Sequence, residues 1–83
     1  MPLTFGENTV LIDGICGVED AMPLLEFLQT HTGASIDMHA CSHLHSAALQ
    51  VLMATARVVH LPDEDFLRRW LTPLLAPKLT TDV

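Results

Sequence analysis

Apolar and polar positions along the chain change period several times, and each change marks an element. Thr9-Val10-Leu11-Ile12 is a short β-rich apolar run stopped by Asp13-Gly14, a turn signal. Leu3 to Phe5 predicts a weak edge strand ahead of it. Residues 18–30 read as a helix, because Ala21, Leu24, Leu25 and Leu28 recur at i, i+3, i+4 and i+7. Glu19 and Asp20 suit its first turn, where negative charge complements the helix dipole. Pro23 is tolerated only close to that first turn, and Gly33 marks the end. In residues 35–39, Ile36 and Met38 alternate with Asp37 and His39, which predicts a second strand followed by a polar loop over 41–45. Residues 46–57 predict a helix for which Ser46 can serve as N-cap. Only Gln50 and Thr55 are polar between Ser46 and Arg57, so this helix is expected to be buried on two sides or docked on another molecule. Val58-Val59-His60-Leu61, ended by Pro62, predicts a third core strand. The last helix is expected over 63–74, with Phe66, Leu67, Trp70, Leu71 and Leu74 facing the core and Arg68 and Arg69 opposite. Pro73 is expected to end or kink it early.

The order β-α-β-α-β-α, with an edge strand in front, predicts an α/β fold: a small mixed, mostly parallel sheet of 3–4 strands with helices packed on it. The chain of 83 residues reads as a single domain (1–83) with a core over about 9–75; residues 1–3 and 77–83 are expected to be loose.

Charge narrows the function classes. The net charge is −6, and its distribution is uneven. Residues 1–56 hold Glu7, Asp13, Glu19, Asp20, Glu26 and Asp37 and no Lys or Arg, whereas from Arg57 onward four acids balance four bases. A nucleic-acid surface needs clustered Lys and Arg, so no nucleic-acid partner is expected. Anionic lipid surfaces are disfavoured for the same reason. A hydrophobic fraction of 49% and a charged fraction of 17% exclude a disordered chain. Every apolar run is broken well short of the roughly 20 residues of a membrane span. The start carries no basic and apolar leader pattern, and two cysteines make no disulfide framework, so a cytoplasmic location is expected. Cys16 and Cys41 read as small buried hydrophobes.

The informative stretch is Ser35-Ile36-Asp37-Met38-His39-Ala40-Cys41-Ser42-His43-Leu44-His45-Ser46-Ala47-Ala48-Leu49. It resembles the central segment of STAS domains, the fold of bacterial anti-sigma factor antagonists. In that family a strand ends in Asp, a short loop follows, and a Ser-x-Gly-Leu segment opens a helix. Asp37 matches the strand Asp, and Ser46-Ala47-Ala48-Leu49 stands where the Ser-x-Gly-Leu stands. Upstream, Val10 to Gly14 and the helix beginning near Val18 are similar to the family's second strand and first helix. His45 replaces the acid before the serine, Ala48 replaces the glycine, and typical members continue with another strand and helix.

The resemblance implies a non-enzymatic protein-binding module, switched in many members by a partner kinase that phosphorylates the serine at the helix start, here Ser46. It implies a serine kinase, an anti-sigma factor or another signalling protein as partner. A chemotaxis or lipid-transport subunit is an alternative of the same fold. The expected contact residues are His43, His45, Ala47 and Gln50. A phosphoryl group at a helix start meets free N–H groups and the positive end of the dipole, and adds about −1.5 to −2 charge. Imidazoles titrate near neutrality, so the histidines predict a partner affinity that changes between about pH 5.5 and 7.5. The apolar helix after Ser46 is also compatible with a homodimer.

His39, Cys41, His43 and His45 recur at strict two-residue spacing, and imidazole and thiolate are ligands that suit zinc. A straight strand does not wrap four ligands around one ion, so this metal site is the lesser alternative and no cofactor is expected. A Cys–His nucleophile pair is conceivable with Cys16 or Cys41, but no oxyanion hole accompanies it, and the chain is not expected to be an enzyme.

Overall fold

The elements of the fold follow the alternation of short strands and amphipathic helices. The computed structural model describes residues 2–56 and 58–79. In chain order these form β1 (Leu3–Phe5), β2 (Thr9–Ile12), β3 (Gly14–Cys16), α1 (Ala21–Thr30), β4 (Ser35–Asp37), β5 (Cys41–Leu44), α2 (Ser46–Thr55), β6 (Val58–His60) and α3 (Asp65–Leu75). Single 3-10 turns, Val18–Asp20 and Ala76–Lys78, precede α1 and follow α3. Four strands make the main sheet in the order β1-β2-β4-β6. β1 is antiparallel to β2, and β2, β4 and β6 are parallel, with Val10, Ile36 and Val59 in one row. The fold is the α/β class with a mostly parallel sheet that the pattern predicts.

Strands β2, β4 and β6 add in one direction, and right-handed crossovers then put α1 and α2 on the same face. Burial agrees with that placement. Val10, Ile12, Ile36 and Val59 form one buried cluster with Leu24, Leu28, Leu49, Leu52, Leu67 and Leu71. The opposite face stays partly open, with Thr9 and His60 exposed and Leu11, Ser35 and Asp37 half-buried.

Local chemistry explains the element ends. Pro23 is the third residue of α1, where its missing N–H costs no intrahelical bond. Asp20, buried, accepts from the Gly17 N–H at 2.8 Å and fixes the turn into α1. Glu64 caps α3 by accepting from the Phe66 and Leu67 N–H groups, so that helix starts at Asp65 rather than Asp63. Pro73 lies inside α3 without ending it, and the helix runs on to Leu75.

Three expectations are corrected. The core face of α3 is the line Leu67, Leu71 and Leu75, while Phe66, Trp70 and Leu74 of the predicted core face are 76%, 42% and 37% exposed. The apolar arc of this helix is wider than its contact with the core, and packing takes one of its two neighbouring lines. Of the two alternatives for α2, burial on two sides is not found: Ala48, Leu49 and Leu52 are its buried residues, and Met53 reaches the surface. Neither predicted loose end is loose where it is described. Leu3 is buried, the Lys78 Nζ donates to the Ala56 carbonyl at 2.8 Å, and Leu79 makes a parallel bridge to Val59. Met1, Arg57 and the expected tail residues 80–83 lie outside the described residues.

Candidate functional site

At the carboxyl ends of β2 and β4 the chain breaks and then pairs again, and most of the candidate residues lie at this junction. β3 and β5 form a second, two-stranded parallel sheet. They continue the β2/β4 pair past a bend, since only Asp13 separates β2 from β3, and Met38, His39 and Ala40 separate β4 from β5. Gly14 makes the bend with φ +72°, a left-handed conformation that a side chain would strain. The stretch expected as a polar loop is therefore largely strand, and its partner β3 was invisible because Gly-Ile-Cys is too short to show a period. Ile15 and His43 are register partners exposed on the outer face; Cys16 and Leu44 are register partners buried on the inner face. Ser42 is the extra residue of a β-bulge between the Gly14–Cys41 and Ile15–His43 pairs.

The β5–α2 junction places Ser46 differently from the expectation. The N-cap is His45, with extended backbone (φ −65°, ψ 145°), and its Nδ1 accepts from the Ala47 N–H at 3.0 Å. An accepting Nδ1 belongs to the neutral ring protonated on Nε2. The Leu49 N–H donates to the His45 carbonyl at 3.1 Å, the first bond of the helix, and the His45 N–H donates to the Cys16 carbonyl at 2.9 Å. Ser46 is thus the first residue inside α2, and it is exposed. Of the other expected contact residues, His43 and Gln50 are exposed, while His45 and Ala47 are half-buried. Ala48 is fully buried.

The four residues at two-residue spacing fall into different environments. His39 lies before β5, exposed, with its Nδ1 2.9 Å from Asp37 Oδ1. Cys41 is buried and its Sγ donates to the His43 carbonyl at 3.3 Å. His43 faces outward, and His45 is the cap. Among the described residues no group of three or more His, Cys, Asp or Glu is placed to hold a metal ion. Neither thiol is poised for attack. Burial, reinforced by the charge of Asp20, pushes Cys16 up to about 12, and burial pushes Cys41 up as well.

Two groupings escaped the sequence reading. On the open sheet face Asp37 is the register partner of His60 and also binds His39, whose backbone N–H donates to Asp37 Oδ1 at 3.0 Å. Partial burial works to raise the Asp37 carboxyl, but the bonds from His39 and the charges of His39 and His60 outweigh it and hold it below the usual range. Asp37 in turn raises His39, through the hydrogen bond first and then its charge. The second grouping is apolar. Phe66, Leu67 and Trp70 of α3 face Ser42, His43 and Leu44 of β5 across a groove of about 310 Å³. The signal for it was present in α3 as two adjacent apolar lines, 66/70/74 and 67/71/75, too wide an arc for one helix to bury.

No family model, curated protein or solved structure matches the chain. No described helix is long and apolar enough to cross a membrane.

Proposed function

We propose that this protein is a non-enzymatic regulatory module that works by binding another protein, in the manner of the STAS-type anti-sigma factor antagonists, with Ser46 as its phosphorylation switch. The observation that carries the reading is the position of Ser46. It is an exposed hydroxyl at the first residue of α2, directly after a parallel strand pair, and His45 already makes the capping bond. Its oxygen is therefore spared for modification. An added phosphate would bring about −1.5 to −2 charge to a surface whose residues up to Ala56 include no Lys or Arg. The chain order also supports the likeness: an antiparallel edge strand comes first, then parallel strands joined by helices. The parallel bridge from Leu79 to Val59 extends the pairing past β6, and members of that family continue with another strand and helix. The buried, raised thiols are unsuited to nucleophilic attack. The partner is a serine kinase, an anti-sigma factor or a comparable cytoplasmic signalling protein with a neutral or basic contact surface.

The test uses the full chain and the protein that co-purifies with it in stoichiometric amount from its own cells. Ser46→Ala is expected to bind that protein within about twofold of the parent, and Ser46→Asp at least about tenfold more weakly. Equal binding by all three chains contradicts the switch.

A further inference from the structure

The outer line of α3 presents a protein-binding feature that the Ser46 junction does not require. Phe66 and Trp70 stand one helical turn apart and are 76% and 42% exposed. With Leu67 they form one wall of the groove whose other wall is Ser42, His43 and Leu44 of β5. Through the register pair His43–Ile15 the apolar surface continues onto β3, where Ile15 is also exposed. Large aromatics seated in a groove are the usual anchors of protein interfaces, and isolated exposure on this scale is costly unless a partner covers it.

Charge decides between occupants. Asp63, Glu64 and Asp65 stand immediately before Phe66, and Glu19 is exposed just beyond β3. Among the described residues Arg69 borders the line, while the Arg68 guanidinium donates to the Pro62 carbonyl and Lys78 to the Ala56 carbonyl, which holds those two cations outside the groove lining. The β3 side of the groove has no Lys or Arg, because the first 56 residues contain neither. A second copy of this chain, itself at −6, meets repulsion there, and so does an anionic bilayer.

We infer that the groove between β5 and α3 receives an amphipathic segment of a partner protein, with apolar anchors over Phe66 and Trp70 and Lys or Arg residues toward β3 and the acidic start of α3. This rests on the reading of the protein as a partner-binding module, and it extends the contact surface away from Ser46.

Trp70 is the only tryptophan in the chain, so the groove carries its own fluorescent reporter. The probe is a Trp-free helical peptide of Leu and Lys, compared with its counterpart carrying Glu in place of Lys. The Lys peptide is expected to give a saturable blue shift of Trp70 emission that weakens with added salt. Phe66→Ala, folded by circular dichroism, should weaken that binding by about tenfold or more. No saturable shift, an equal response to the Glu peptide, or no loss with Phe66→Ala overturns the proposal. So does a concentration-dependent dimer in sedimentation that Phe66→Ala abolishes, or an equal shift with phosphatidylcholine vesicles. Ser46→Asp separates the two readings. Lys-peptide binding in a chain whose native partner ignores Ser46→Asp leaves the groove standing and removes the switch; the reverse result removes the groove alone.

Discussion

The hydrogen bond from the Ala47 N–H to His45 Nδ1 changes what Ser46 is free to do. With the first turn of α2 capped by an imidazole, the serine side chain has no structural duty there. Replacing an N-cap typically costs about 0.5–2 kcal/mol, whereas an exposed first-turn position lies within about 0.5 kcal/mol of neutral. His45→Ala is therefore expected to lower unfolding free energy in urea by about 1 kcal/mol and Ser46→Ala to leave it unchanged. The opposite ranking would return the capping role to Ser46. The His39–Asp37 pair supplies a second test at this scale. Asp37 is held low, so its contribution to stability is present above the usual carboxylate range and lost as pH falls through its lowered value. His39 is raised, so its contribution is present below the usual imidazole value and lost as pH rises through its raised one. The pair is complete from about pH 4 to 6.5, between the two ordinary values. In a proton NMR titration Asp37→Asn should bring the His39 midpoint down. An unmoved midpoint would mean that the carboxylate does not hold the ring.

Among the elements, α3 shows most clearly what packing chose. Leu71 is fully buried and Phe66 is mostly exposed, although one residue separates the two apolar lines they belong to. Leu71→Ala should cost about 2–5 kcal/mol, the range for deleting a buried leucine side chain. Phe66→Ala should cost no more than about 0.5 kcal/mol as a surface change. Comparable losses in denaturant melts would show that the core takes both lines. The same helix explains what the sequence could reveal. Its existence was readable from the apolar recurrence and the acids before Phe66, although its start is two residues later than expected because Glu64 is the cap, and recurrence does not say which of two adjacent lines a sheet will cover. Strands β2, β4 and β6 were legible because β-branched and apolar residues cluster between turn signals. β3 was not, because three residues carry no period and its strand state comes from pairing with β5. The cap of α2 was assigned to Ser46 because hydroxyls are the common capping groups. Only the backbone angles of His45 reveal the imidazole one place earlier.

For the molecule as a whole, the uneven charge and the uncovered apolar line bear on the same contact. The basic-free stretch up to Ala56 builds β1 to β5, α1 and α2, so the junction at Ser46 lies in an acidic field. The core that supports it is closed over both thiols. Cys16 and Cys41 should therefore resist a thiol reagent such as dithionitrobenzoate at pH 8 in the folded protein and react fully in guanidinium. Rapid reaction of either in native buffer would contradict the burial and would reopen a chemical role for it. The proposed mode of action, binding of a protein partner at the junction of β5 and α2, predicts where the chain is shielded in a complex. The deciding measurement is hydrogen exchange of the full chain, alone and with the protein that co-purifies with it under the proposal; the absence of any such protein would also contradict it. The expected result is slowed exchange across residues 41–50, extending to 66–70. Protection confined to the open sheet face at 9–11, 35–37 and 58–60, with 41–50 unchanged, would contradict it.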